Sequence, residues 1–266
     1  MQLEIFDVEH GACALLTTDV GTRMLIDCGH NATTGWTPRK LLQQRGVQVL
    51  EMLAVTNYDE DHVSGLSDLR QGIGIQSLWR NNAVSADTIT LLKSEDGMGA
   101  GIEALVDMAK AYTSPLPASV TFPGVERCAF NNGPADFDDE NNLSLVIHLT
   151  INGVGFLFPG DLERAGWLKL LERSQFYDML KSTSVLIASH HGRASGICDE
   201  VFAAGCNPYF VVISDKGYMY DTQETVPHYR SKARGGLFRG ELRHVLTTRS
   251  DGHITFRFSQ GTWWAG

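Results

Sequence analysis

The chain has 266 residues, 43% hydrophobic and 20% charged, enough for a sizeable core and ordinary for a globular protein. A formal net charge of −9 excludes attraction of nucleic acid by the surface as a whole, so an anionic substrate must be drawn by a local patch or a metal. Apolar runs fall short of the ~18 residues of a membrane span, Met1 to Phe6 reads as a strand rather than a signal peptide, and the five cysteines (Cys13, Cys28, Cys128, Cys198, Cys206) form no CxxC pair, so a cytoplasmic protein without membrane contact is expected.

Short runs rich in branched residues predict strands over Leu3 to Val8, Cys13 to Thr18 and Arg23 to Asp27. Trp36 to Gly46 reads as a helix with Pro38 in its first turn, Val47 to Val55 as a buried strand and His62 to Leu69 as a short helix. An irregular insert is expected at about 80–140, with a helix around Ile102 to Ala111 and a long loop from Thr113 to Asn142 holding one or two short strands. Leu143 to Leu149 and Gly153 to Phe158 form a hairpin around Asn152-Gly153. A helix follows at Leu162 to Arg173, a strand at Val185 to Ala188, a helix at Cys198 to Ala204 and a strand at Tyr209 to Ile213. His244 to Thr247 and His253 to Phe258 are expected to close the chain as a hairpin about Asp251-Gly252. Two halves of strands followed by helices predict one domain, residues 1–266, of two sheets covered by helices.

Thr56-Asn57-Tyr58-Asp59-Glu60-Asp61-His62 is the most informative stretch. It sets two carboxylates, a carboxamide and an imidazole at the mouth of an apolar strand. Such oxygen and imidazole donors, with no thiolate, suit Zn, Mn or Fe in a hydrolytic site. Three other segments also end an apolar run with polar residues beside glycine: Met24 to Gly29 with Asp27, Phe156 to Asp161, and Leu186 to Gly192 with His190 and His191. Convergence of Asp59, Asp61, His62, Asp161 and His191 at one edge of a sandwich would build a site for one or two divalent ions.

In their order these motifs resemble those of the metallo-β-lactamase superfamily, and more narrowly the hydrolase domain of competence-type DNA-uptake proteins and its free-standing relatives. Phe6 to Ala12 stands where that branch has a DVGQGD-like segment, Leu25 to Gly29 is similar to its LIDtG strand, and Thr56 to His62 to its SHxDxDH motif. Asn141 to Val146 resembles its NxxSLV strand, Pro159-Gly160-Asp161 its tGD and Ser189 to Gly192 its HHGS; Val212 to Ser214 and Val226-Pro227-His228 look like its late elements. The resemblance covers nearly the whole chain. It implies an α/β fold, an αββα four-layer sandwich with two mixed sheets flanked by helices. It implies that Asp61, His62 and His191 bind one ion, that Asp161 bridges to a second, and that Asp59 binds that second ion, with Asp27 and Asn141 supporting from behind. The chain departs from the pattern at Asn57, which replaces the motif's first histidine with a weaker ligand, so a single ion at rest is expected, Zn or Mn. His190 is a further candidate ligand, while His10, His30 and His148 are not expected to ligate.

The implied activity is a metal-dependent hydrolase, a phosphodiesterase or nuclease using metal-activated water, with Asp61 or Asp59 orienting that water and His228 protonating a leaving group. The basic cluster of Arg230, Lys232 and Arg234, followed by Arg239 and Arg243, is expected to hold the phosphates of a nucleic acid or nucleotide. Two other readings remain open: a degenerate subunit kept for binding or scaffolding, with protein partners or a homo-oligomer, and a hydrolase of lactones or thioesters.

Overall fold

The computed structural model describes every residue except 95, 96, 115, 116, 118, 218–223 and 260, so small parts of the 80–140 and 113–142 segments lie outside the described residues. The chain opens with strands β1 (Gln2–Ile5), β2 (Ala14–Thr17) and β3 (Arg23–Ile26). Next come α1 (Pro38–Gln44), β4 (Val49–Leu50), β5 (Met52–Ala54), α2 (Glu60–Val63), α3 (Leu66–Leu69), β6 (Gly74–Ile75) and β7 (Leu78–Trp79). The segment expected to be irregular holds α4 (Ala86–Leu92), α5 (Ala100–Ala111) and β8 (Val125–Asn131). Then follow β9 (Leu145–Ile151), β10 (Val154–Phe158), α6 (Arg164–Leu170), α7 (Ser174–Lys181), β11 (Thr183–Ile187), α8 (Asp199–Ala203), β12 (Phe210–Ile213) and α9 (Val226–Lys232). The chain ends with β13 (Gly236–Phe238), β14 (Glu241–Arg243), β15 (Val245–Thr247), α10 (Thr248–Asp251), β16 (Ile254–Ser259) and β17 (Thr262–Ala265).

Two large mixed sheets form. One runs β14-β13-β17-β16-β1-β2-β3-β5-β7 and the other β15-β12-β11-β10-β9-β8. The period-2 geometry of a strand sends successive side chains to opposite faces, and the sequence uses both. Met24 and Ile26 of β3 face the second sheet, where they meet the layer of Phe156, Phe158, Phe210 and Val212, while Leu25 faces outward to helices. On β12, Val211 and Ile213 likewise turn away from the sandwich toward Trp167, Phe176 and Tyr229 of α6, α7 and α9. The outer face of the first sheet is covered by Leu42, Leu66 and Leu105 of α1, α3 and α5. The order is therefore helix, sheet, sheet, helix, the expected αββα sandwich. Each fully buried Leu, Ile or Phe in these layers contributes roughly 1.5–3 kcal/mol. Among the described residues, no helix is long and apolar enough to cross a membrane.

Local departures have local causes. The Val47–Val55 run splits at Glu51, whose carboxylate accepts the Arg23 N–H at 2.7 Å, and β4 leaves to pair with β6. The expected closing hairpin does not form. β15 pairs parallel with β12 in the second sheet, and β16 pairs antiparallel with β1 in the first. The Asp251-Gly252 turn signal is consumed differently: Asp251 accepts the Thr247 N–H at 2.8 Å and pairs with Arg243 at 3.0 Å, closing the single turn of α10. The helix expected over Leu162 to Arg173 forms as α6, and α7 begins just beyond that span at Ser174.

Candidate metal centre

Every candidate ligand lies just past the C-terminal end of a strand, at one edge of both sheets. Asp27 follows β3, Asp61 and His62 follow β5, Asp161 follows β10, and His190 and His191 follow β11. Tight backbone makes this convergence possible. Asp27, His190 and His191 all hold positive φ, a left-handed conformation uncommon for non-glycine residues and typical of functional sites. Gly29 passes so close to α2 that a Cβ there would sit 2.7 Å from the Asp61 carbonyl oxygen.

Four side chains meet. Asp161 Oδ1 lies 2.9 Å from His62 Nε2 and 3.5 Å from His191 Nε2, and Asp61 Oδ2 lies 3.1 Å from His191 Nε2. One ligand atom from each of Asp61, His62, Asp161 and His191 lies within 4.8 Å of the other three. Each imidazole is held from behind. His62 Nδ1–H donates to Asp27 Oδ2 at 3.0 Å, and His191 Nδ1–H donates to the Ser214 carbonyl at 3.0 Å. Asp27 is itself fixed by the Thr56 N–H and hydroxyl, at 2.7 and 2.5 Å. Both Nε2 atoms therefore face the carboxylates, the arrangement that orients histidine for a metal.

Charge is concentrated there. Burial pushes the Asp161 and Asp61 carboxyls upward, but the adjacent imidazoles more than offset it, holding Asp161 far below the usual carboxylate range and Asp61 at about 2. Burial opposes charge on His62 and His191 too, yet the surrounding carboxylates raise both, His62 well above its ordinary value. A centre in which buried imidazoles must carry protons to balance carboxylates is one that a divalent cation can neutralise by displacing those protons. The buried His191 Nε2 has no well-formed hydrogen bond despite its nearness to both carboxylates. Two imidazole nitrogens and two carboxylate oxygens fit Zn, Mn or Fe.

The remaining candidates are placed as follows. His190 Nδ1 lies 3.0 Å from the Ser195 hydroxyl and 3.2 Å from Glu163, and its Nε2 is 4.0 Å from Asp161 Oδ2, beside the four-residue cluster and outside it. Asp59 forms an ion pair with the buried ammonium of Lys93, which also meets Glu140 at 2.6 Å. Asn57 is spent on its surroundings: its Oδ1 accepts the Asp59 N–H at 2.7 Å, and its Nδ2 donates to Ser144 Oγ at 3.0 Å and to Asn141 Oδ1 at 3.4 Å.

The basic segment engages its own neighbourhood. Lys232 pairs with Asp199 at 2.6 Å, His228 lies 3.7 Å from the same carboxylate, and Arg234 stacks 3.7 Å from the Tyr209 ring centroid. Arg230 lines a shallow cleft with Leu242 and Arg243. None of these contacts is with the four clustered residues.

Two further residues stand near the cluster: His10, expected from the sequence to line the pocket without ligating, and Arg193, which sequence reasoning did not single out. His10 Nε2 lies 3.8 Å from Asp61 Oδ2, and Arg193 Nη2 is 3.2 Å from His10 Nε2. Burial and then the charge of His191 push His10 down to about 4, so it is neutral and accepts from Arg193. The only sequence signal for Arg193 was its place two residues after His191. Lys93 gave none.

No protein-family model matches the sequence. The curated ComE operon protein 3 of Bacillus subtilis (strain 168) is 24% identical over 218 residues, 82% of this chain and 26% of that protein; the chain spans about a quarter of the length of this relative. Among solved structures, the chain is similar to a variant of the β-hydroxylase CmlA of Streptomyces venezuelae, with a TM-score of 0.52 and 13% identity over 96% of this chain and 54% of that one. It is also similar to the metallo-β-lactamase fold protein YhfI from Bacillus subtilis, with a TM-score of 0.49 and 10% identity over 94% of this chain and 98% of that one.

Proposed function

Taking as premise that this chain has the metallo-β-lactamase fold, we propose that it is a metal-dependent hydrolase acting on phosphodiesters. The observation that carries this reading is the convergence of Asp61, His62, Asp161 and His191 at one edge of the sandwich, each ligand atom within 4.8 Å of the others. When bound, a divalent cation supplies Lewis acidity, polarising an electrophilic oxygen and acidifying water.

The chain's own residues do the rest. Asp61 is the most accessible of the four, with 27% of its side chain exposed against 3% for Asp161 and His191. Water arriving from solvent reaches its carboxylate first, so Asp61 orients that water and takes its proton. Asp27 and the Ser214 carbonyl hold the imidazoles in the ligating tautomer. Arg193, held beside His10 at the same edge, is the cation best placed for a phosphoryl oxygen, a group that guanidinium recognises in bidentate fashion. That cation favours a phosphodiester over a lactone or thioester, and the motif resemblance to the hydrolase domain of competence-type DNA-uptake proteins favours nucleic acid or nucleotide.

The test combines metal content with turnover. Protein dialysed against Zn or Mn is analysed for bound metal, then assayed on bis(p-nitrophenyl) phosphate, single-stranded DNA, RNA, cyclic nucleotides and a lactone. We expect bound metal, phosphodiester cleavage, and loss of both in Asp161→Asn and His191→Ala. Folded protein that takes up no metal and cleaves nothing would make the chain a binding subunit. Cleavage of the lactone alone would move the substrate class.

A further inference from the structure

We infer that Lys93 is a built-in cation that holds this centre to a single divalent ion. The inference rests on the metal-centre reading above and concerns its nuclearity. Beyond the four clustered residues, a second group of oxygen donors gathers on the same side of the fold. Asp59 lies two residues before Asp61 and feels the charge of Asp161. Glu140, Asn57 and Asn141 surround it. Two carboxylates and two carboxamides in one place are donors suited to a hard cation. Here the cation is the Lys93 ammonium, 6% exposed, in contact with both carboxylates at once.

Charge opposes a second ion here in two ways, and hydrogen bonding in a third. A divalent ion bound by Asp59 and Glu140 would have to displace a buried ammonium from both its counter-ions, leaving that charge without partners. A divalent ion and an ammonium held together by the same carboxylates would repel at short range in a poorly screened site. The amides are committed as well: the Asn57 carbonyl oxygen holds the Asp59 N–H at 2.7 Å, and its NH2 is turned to Ser144, whose hydroxyl oxygen also accepts the Asp161 N–H at 3.1 Å. Lys93 thus occupies the place between Asp59 and Glu140, while Asn57 and Ser144 tie that side of the centre to Asp161. Its charge is spent on two carboxylates, so it adds no net positive charge for a substrate anion.

The experiment is a count of ions per folded chain, by equilibrium dialysis against Zn or Mn followed by elemental analysis, with the Mn(II) EPR spectrum as a second readout. Wild type is expected to hold one ion with an uncoupled Mn(II) signal. Lys93→Ala is expected to hold two and to show spin coupling. Lys93→Arg, which keeps the charge, and Lys93→Ala combined with Asp59→Asn are both expected to stay at one. Two ions in wild type, or one in folded Lys93→Ala, would overturn the role of Lys93 and leave the metal centre standing. No ion in any of the proteins would overturn the metal centre itself and the inference with it. Where Lys93→Ala does not fold, Lys93→Gln, neutral and of similar length, takes its place: two ions are expected, and one in the folded protein would overturn the role of Lys93.

Discussion

The His62 ring is clamped between two carboxylates: Asp27 Oδ2 lies 3.0 Å from Nδ1 and Asp161 Oδ1 lies 2.9 Å from Nε2. Asp27 sets which nitrogen carries the proton, because a carboxylate can only accept. Replacing it with asparagine lets the amide present a donor to Nδ1 and releases the tautomer. Asp27→Asn is expected to weaken divalent-ion binding by roughly 10–100-fold, the usual cost of losing such a partner. Competition with a chromogenic chelator measures it, and an unchanged affinity would show that Asp27 serves only to fix Thr56.

Arg193 and Arg234 separate two placements of substrate charge. Arg193 stands beside His10 at the cluster, whereas Arg234 lies over the Tyr209 ring. Arg193→Ala is expected to raise KM for an anionic phosphodiester about tenfold or more, on the order of the 1.5–3 kcal/mol of a hydrogen bond to a charged group, and to flatten its salt dependence. Arg234→Ala is expected to leave KM alone. Steady-state kinetics at two ionic strengths check both, and the reverse ranking would return the substrate to the Arg230–Arg234 segment.

Gly29 is a packing prediction. A methyl group there would meet the Asp61 carbonyl oxygen at 2.7 Å and the Ala12 carbonyl oxygen at 3.0 Å, both backbone atoms. Gly29→Ala is expected to cost about 1–3 kcal/mol and to lower metal affinity, because α2 must shift with its two ligands. Gly217→Ala, where a Cβ meets nothing within 4 Å, is the control and should stay within about 0.5 kcal/mol. Urea unfolding of the metal-free proteins measures both costs, and equal midpoints would refute the close approach.

His148 sits inside β9, opposite Leu157 and Cys128, where burial pushes its imidazole from 6.5 down to about 4. The folded state therefore binds fewer protons than the unfolded state between those values. The penalty is absent above pH 6.5 and grows as pH falls toward 4. Linkage puts it at about 2 kcal/mol between about pH 7 and about pH 5. His148→Gln, uncharged throughout, is expected to lose that much less stability over the same interval. Denaturant titrations at both pH values test this, and parallel losses in the two proteins would place His148 in a solvated setting.

The strand-end residues Asp27, Asp61, His62, Asp161 and His191 were legible because each is announced locally, by an apolar run stopping at a polar residue beside glycine or on a helix start. The layered fold was legible for a related reason: unbroken apolar runs such as Phe210 to Ile213 encode strands with two buried faces. Lys93 was not. It lies 34 residues from Asp59, at the end of a helix whose sequence gives no sign of what its side chain reaches. The basic run was legible as a run of charge, but not the partner each of its members takes. Lys232, Arg234 and Arg243 each found a separate local partner. Asp251-Gly252 misled because a turn dipeptide fixes a reversal of the chain but not which sheet the next strand joins.

β1 lies in the interior of its sheet, with Leu3 between Leu16 of β2 and Phe256 of β16. During vectorial synthesis one side of β1 therefore stays an open row of amides and carbonyls until β16 has emerged. Such an edge invites pairing with other chains, and closure between segments so distant in sequence is slow. A nascent chain stalled before β16 is therefore expected to aggregate through β1, whereas β5, which carries Asp61 and His62, pairs with β3 and β7 and has both neighbours long before.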